Sequence, residues 1–166
     1  MDNNVAELFT TTSCEKLDAM MTALASCMAK LSDEQVWARG GPHENAVGNL
    51  ILHLDGNMRQ WILHGIDGQS DVRVRDAEFL TTGGMSGKEL MERFLATTAE
   101  SKTVIARTPA ERMAEKISPQ PNRPESTVLG AIYQVVGHVQ QHVGQVIVLA
   151  KQMTGRDLDL TIPRVR

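Results

Sequence analysis

The 166-residue sequence predicts an all-α protein, a four-helix bundle with long crossover connections. Two observations support this fold class. Apolar residues recur every three or four positions in four segments, which is the helical period, and turn-rich stretches separate these segments. The sequence also has nine Met but only three Phe, two Trp and one Tyr. A core of Met and aliphatic side chains suits packed helices better than strands, which favour aromatic and β-branched residues.

The first predicted helix runs from about Ser13 to Leu31. Thr12 and Glu15 have the spacing of a capping box at its start. Cys14 and Cys27, the two cysteines of the sequence, both fall in this helix. Because they are thirteen residues apart, roughly 20 Å would separate them on a helix, which a disulfide cannot span. We therefore expect reduced thiols and a cytoplasmic protein.

The second predicted helix follows the chain-breaking Gly40-Gly41-Pro42. Asn45 is a suitable N-cap, and Gly65 and Gly68 provide the expected end. Between these signals an apolar stripe recurs at the helical period, formed by Val47, Leu50, Ile51, Leu54, Met58, Trp61 and Ile62.

The third predicted helix follows a polar segment, residues 67–84, in which we find no periodic pattern. Ser86 and Glu89 form a second capping box, and the helix continues to about Arg107. Its apolar face is interrupted by threonine and serine, so the pattern is weaker than in the other helices.

The last predicted helix is the longest and most apolar. It follows an extended connection, residues 108–124, which holds four of the six prolines. Ser126 or Thr127 is the expected N-cap, the helix continues to about Met153, and Gly155 closes it.

Composition and charge exclude several functional classes. The net charge is −3 and no basic stripe is present, so a nucleic-acid partner has no electrostatic support. No stretch approaches the roughly 20 apolar residues of a membrane span, and the N-terminus lacks the pattern of a signal peptide. Without repeats or linkers, residues 1–166 are expected to form one domain. The alternating tail, residues 156–166, is too short to form a sheet by itself.

Three of the five histidines lie where they could form one site. His138 and His142 are four residues apart, so on a helix they share one face. They fall just off one edge of the apolar stripe of the last helix, and His53 lies at the border of the stripe of the second helix. Three neutral imidazoles with an open position are typical of catalytic zinc sites. Half-buried histidines without a metal are an equally good interpretation of this pattern alone.

The remaining residues limit the possible chemistry. No Glu follows His138 directly and no Glu-x-x-His pair occurs, which excludes the zincin protease motif and the di-iron carboxylate bundle. His64 lies roughly 16 Å along the helix from His53, and His43 lies in a loop, so we expect both to be surface or capping residues. Polar neighbours that could orient the three rings are Gln141, Gln145, Asn49 and Asn57. No activating partner for a catalytic cysteine is present.

Three segments resemble the DinB-like superfamily of metal-dependent enzymes. The stretch 45–57 followed by Trp61 resembles its second helix, 137–145 with the pattern His-x-x-x-His-x-Gly-Gln resembles its last helix, and 31–37 resembles the link after the first helix. The resemblance implies a DinB/YfiT-like four-helix bundle, a homodimer, and one divalent metal ion on His53, His138 and His142. Zinc and nickel both suit imidazole ligands.

The resemblance also implies an activity. Relatives in the superfamily include S-transferases that use low-molecular-weight thiols such as bacillithiol, mycothiol or glutathione, although this sequence is most similar to a branch without an assigned reaction. A metal-dependent thiol transferase acting on a small-molecule substrate is therefore the leading hypothesis. A metal-dependent hydrolase and a non-catalytic, metal-stabilised ligand-binding stress protein remain as alternatives, and the sequence assigns no catalytic residue beyond the metal ligands.

Overall fold

The computed structural model describes residues 2–160 and confirms the all-α fold. Four long helices form the bundle, and two short helices lie in the connections. Their bounds are α1 Asn3–Met28, α2 Asp33–Trp37, α3 Val47–Met58, α4 Arg75–Leu80, α5 Gly87–Ala106 and α6 Val128–Thr154. A single 3₁₀ turn, Ala110–Ala114, and two short antiparallel strands, β1 Lys116–Ile117 and β2 Ser126–Thr127, lie between α5 and α6.

The core lies between the four long helices. Leu17 of α1, Leu54 of α3, Phe94 of α5 and Ile132 of α6 are fully buried there. No helix among the described residues is long and apolar enough to cross a membrane. The alternating tail pattern falls partly outside the described residues.

Helix α1 begins ten residues earlier than predicted, and the capping box expected at Thr12 is wrong. Asp2 is the N-cap, and its side chain accepts a hydrogen bond of 3.1 Å from the backbone N–H of Asn4. The buried face continues towards the N-terminus through Thr10 and Ser13. Both hydroxyls donate to backbone carbonyls within the helix, so these polar residues are buried without a net loss of hydrogen bonds. The apolar pattern therefore places the start of the helix too late in the sequence.

Helix α3 agrees with the second predicted helix except at its start and in its last turns. Its N-cap is Ala46 instead of Asn45, because Asn49 supplies the missing side-chain bond and accepts from the Ala46 N–H at 3.1 Å. After Met58 the chain continues as a π-helical segment, Arg59–His64. A hydrogen bond of 3.0 Å from the Gly65 N–H to the Gln60 carbonyl spans five residues. This segment positions Gln60, whose Oε1 accepts a hydrogen bond from Arg73.

The two short helices were not predicted. Helix α4 lies inside the segment 67–84, where no pattern was found, and only one of its six residues, Glu78, is buried. A helix of this length has too few turns to show a periodic stripe. Tertiary contacts hold it in place, since the Asn49 amide donates to the carbonyls of Glu78 at 2.9 Å and Thr81 at 2.7 Å.

Helices α5 and α6 follow their predicted signals. The capping box of Ser86 and Glu89 is formed, and Thr127 caps α6 by accepting from the Gly130 N–H at 3.0 Å. Gly155 ends α6 in the left-handed conformation with φ of 63°. The predicted boundaries are thus correct where the local hydrogen-bonding signal is strong.

Candidate metal centre

The packing of α3 against α6 brings His53, His138 and His142 together. One ring nitrogen from each residue lies within 4.8 Å of the others. The Nε2 atoms of His53 and His138 are 2.9 Å apart. His53 is buried, while the two α6 histidines are half-buried. The cluster is therefore enclosed by two helices on one side and reachable from the other.

Helix geometry explains this convergence. The buried residues Val135, Val139 and Val143 form the apolar stripe of α6, and the two histidines lie along its edge. The rings of His138 and His142 stack edge to face with centroids 4.5 Å apart, as expected for neighbours one turn apart. The centroid of the His53 ring lies 5.0 and 5.2 Å from these two.

A buried carboxylate fixes the orientation of the His53 ring. Oε2 of Glu78 lies 2.8 Å from Nδ1 of His53 and also accepts from Nη2 of Arg73 at 2.9 Å. Nη2 of Arg73 is 3.1 Å from Nδ1 as well, but guanidinium only donates, so it cannot accept the imidazole proton. Both groups therefore donate to the same carboxylate oxygen. The Nδ1 proton leaves the lone pair of Nε2 directed at the other two rings.

Gly56 makes room for this carboxylate on the surface of α3. A Cβ atom at this position would collide with Oε1 of Glu78 and lie 3.1 Å from Nε of Arg73. Arg73 and Glu78 pair through Nε and Oε1 at 2.7 Å, and the Arg73 side chain is only 4% exposed. The ion pair is thus buried directly against the helix that carries His53.

The four polar residues predicted to orient the rings, two glutamines and two asparagines, differ in outcome. The predicted contact of Gln145 is confirmed, because its Oε1 lies 2.6 Å from Nδ1 of His142. Asn49 acts at a distance by holding α4, which carries Glu78. Asn57 has a buried Oδ1 without a hydrogen-bond partner in residues 2–160. Gln141 is exposed and makes no hydrogen bond to either α6 histidine in the described structure.

Burial favours the neutral form of the two α6 histidines. Desolvation lowers the pKa of His138 from 6.5 to about 4, with further contributions from the positive forms of His142, His53 and Arg73. Burial also lowers the pKa of His142, although the bond to Gln145 opposes this effect. Neutral imidazoles are the form that binds a metal ion.

At Glu78, in contrast, the charged form is favoured. Burial alone would raise the pKa of this carboxyl group, but the hydrogen bonds from Arg73 and His53 outweigh it and hold the pKa below its ordinary value. Glu78 therefore remains a carboxylate that accepts the Nδ1 proton of His53.

Sequence reasoning did not identify Glu78 or Arg73. Both lie in the polar segment without periodicity, and their positions beside His53 depend on the path of a crossover connection. The remaining histidines agree with expectation. Nδ1 of His64 lies 2.6 Å from the carbonyl of Gln69, and His43 is exposed. Neither belongs to the cluster formed in the described part of the chain.

The fold and the three converging imidazoles define a helical-bundle protein with a candidate single-metal centre. The chain belongs to the family described as protein of unknown function DUF1572, which matches residues 4–166. No protein with curated function matches the sequence.

Two solved structures have a similar fold. A conserved protein from Enterococcus faecalis aligns with a TM-score of 0.72 and 15% identity, covering 89% of this chain and 98% of its own. A DinB-like protein from Bacillus subtilis aligns with a TM-score of 0.66 and 12% identity, covering 88% of this chain and 93% of its own. The fold is therefore DinB-like, as the sequence resemblance implied.

Proposed function

We propose that the protein is a metal-dependent enzyme that holds one divalent ion, zinc or nickel, on His53, His138 and His142. The observation that carries this proposal is the convergence of three imidazole nitrogens within 4.8 Å. The donor set fits such an ion, because burial favours the neutral form of His138 and His142 and Glu78 directs the Nε2 lone pair of His53 towards these two rings.

The surroundings support a catalytic use of the ion. Three protein ligands leave at least one position for water or substrate, which is the pattern of catalytic zinc centres. The α6 histidines are half-buried instead of sealed in the core. A cavity of about 550 Å³ lies next to Gln145, the partner of His142, and its volume suits a small-molecule substrate.

We propose thiol transfer as the reaction. A divalent ion held by His53, His138 and His142 would supply Lewis acidity that favours the thiolate form of a thiol, which is the form that attacks an electrophilic carbon and displaces its leaving group. The chain itself contributes orientation: Glu78 and Arg73 fix the His53 ring, and Gln145 fixes the His142 ring. Bacillithiol, mycothiol and glutathione are the thiol class that the DinB-like resemblance suggests.

The first experiment measures metal content and thiol conjugation together. Protein purified without an affinity tag should contain one zinc or nickel per chain by elemental analysis. Wild type should conjugate one of the three thiols to monochlorobimane or a related electrophile. The His142→Ala variant should lose at least about tenfold in rate, since one ligand is missing. His64→Ala, a histidine outside the cluster, should match wild type.

The alternatives give different outcomes in the same experiment. Stoichiometric metal with no thiol conjugation, but with metal-dependent hydrolysis of an ester or amide panel, would replace the transferase by a hydrolase. Stoichiometric metal with neither activity and a much lower melting temperature for His142→Ala would indicate a metal-stabilised scaffold. Absence of metal in the tag-free protein would remove the metal site itself.

A further inference from the structure

A second, smaller cavity is lined in part by Arg73, the arginine that also contacts His53. Its volume is about 290 Å³. It is lined by three arginines, two glutamines and one proline, namely Arg73, Arg75, Arg123, Gln60, Gln120 and Pro121. No carboxylate among the described residues lines it, although the protein as a whole is acidic with a net charge of −3. Positive groups therefore predominate in the lining of this cavity.

Two of the three arginines have no counterion in the described part of the chain. Arg73 is neutralised by Glu78, with N–O distances of 2.7 and 2.9 Å. Arg75 lies over the ring of Phe79, 5.0 Å from its centroid, and this contact leaves its charge uncompensated. Within residues 2–160, neither Arg75 nor Arg123 forms an ion pair or a side-chain hydrogen bond. The cavity therefore has two positive charges available to an anionic ligand.

The loop that carries Arg123 is held in position. Three prolines, at positions 119, 121 and 124, restrict the backbone of this stretch. Pro119 is buried, and the Gln120 amide donates to Oε1 of Gln60 at 2.9 Å. A loop anchored in this way loses little conformational entropy when a ligand binds. The arginine is thus presented by a preorganised segment.

One side chain, Arg73, lies between the cavity and His53. The guanidinium of Arg73 donates through Nη1 to Oε1 of Gln60 at 2.9 Å, on the cavity side. Its Nη2 atom lies 3.1 Å from Nδ1 of His53. The Arg73 guanidinium therefore lies between a molecule held in the cavity and the Nδ1 side of His53.

We propose that this cavity binds the carboxylate or phosphate group of a small molecule through Arg75 and Arg123. Guanidinium matches both oxyanions with paired hydrogen bonds, and the volume accommodates one such group with a short stem. The idea that this molecule is the substrate of the neighbouring centre rests on the proposed function. Binding of the anion itself does not.

Isothermal titration calorimetry with inorganic phosphate and with malonate tests the proposal. The titrations use metal-free wild type at low ionic strength, where no metal ion competes for the anion. We expect one binding site per chain for at least one of the two anions, and the tighter one identifies the preferred group. Arg123→Ala and Arg75→Ala should each weaken binding at least about tenfold, because each removes charged hydrogen bonds. Arg156→Ala, an exposed arginine outside the cavity, should bind as wild type does.

The results separate this inference from the proposed function. Failure of wild type to bind either anion, or equal binding by the Arg123→Ala variant, would overturn the anion site whatever the metal does. Each variant's circular dichroism spectrum verifies its fold. The same titration repeated on zinc-loaded protein should retain the dependence on Arg123, whereas binding that requires zinc and ignores Arg123 would place the anion on the metal and contradict the proposal. Anion binding without thiol conjugation would leave the cavity intact and remove only the proposed reaction.

Discussion

At the scale of single residues, the direction of one imidazole lone pair determines whether three histidines can act together. Nδ1 of His53 donates a hydrogen bond to Glu78, so Nε2 is the ring nitrogen that faces His138. Without an acceptor at Nδ1, either tautomer would be accessible and the ring could rotate. The carboxylate therefore preorganises the cluster, although it is not part of it.

The Glu78→Gln variant tests this role. The amide preserves the shape but removes the charge that both His53 and Arg73 require, so we expect metal affinity to fall by about 10- to 100-fold. Competition with a chromophoric chelator measures this affinity. Asp76→Asn, an exposed residue of the same helix, is the matched control and should leave the affinity unchanged. Equal affinities for Glu78→Gln and wild type would contradict the assigned role.

The depressed pKa of His138 predicts a pH dependence of stability in the metal-free protein. Its pKa is 6.5 in the absence of interactions and about 4 in the fold, so the unfolded state binds more protons between these values. Stability is then fully present above about pH 6.5 and is lost as pH falls towards 4. We expect a loss of about 1–3 kcal/mol, allowing for partial solvent screening. Urea unfolding at several pH values measures it.

The control for this pH dependence is His138→Gln, which cannot titrate. Its free energy of unfolding should fall less steeply over the same pH range. If the variant and the wild type show the same slope, groups other than His138 cause the loss.

At the scale of secondary-structure elements, the sequence predicts those whose signals are local. Ser86 sets the start of α5, and Thr127 and Gly155 set the start and the end of α6, because capping depends on residues within one turn. The start of α1 and the existence of α4 depend on tertiary packing, which no local pattern reports. The three histidines lie at the edges of strongly periodic helices, which made a shared site geometrically reasonable, and the family resemblance then selected these three from the five. Glu78 was not, since a crossover connection delivers it.

Gly56 is the point where the crossover connection and α3 must fit together. In the Gly56→Ala variant the methyl group displaces the Glu78 carboxylate, so we expect about tenfold weaker metal binding. The free energy of unfolding should change little, because alanine gains up to about 1 kcal/mol in a helix and offsets part of the disturbance.

Gly144→Ala is the matched control, since open space surrounds its Cβ position within the described structure. Open space also surrounds the Cβ position of Gly137, so no described helix packs closely against either glycine. Gly144→Ala should raise the free energy of unfolding by up to about 1 kcal/mol without a change in metal affinity. Unchanged metal affinity in Gly56→Ala would contradict the fit between Gly56 and Glu78.

At the scale of the whole molecule, the cluster joins segments that are distant in sequence. His53 and His138 are separated by 85 residues, and Glu78 comes from the connection between them. An ion bound by all three histidines would link α3 to α6 in the folded state only. Such a ligand stabilises the fold by mass action, by about 2.7 kcal/mol at a free concentration 100 times its Kd.

This linkage predicts a metal-dependent melting temperature. At that concentration of zinc or nickel, wild type should melt roughly 5–10 °C above the chelator-treated protein, as expected for a chain of this length. His142→Ala should lose most of the shift, while His64→Ala should retain it, because only the first residue belongs to the cluster. Differential scanning fluorimetry over a metal titration separates affinity from intrinsic stability, since the two variants are compared first without metal. An equal shift in wild type and His142→Ala would place the stabilising ion elsewhere in the chain.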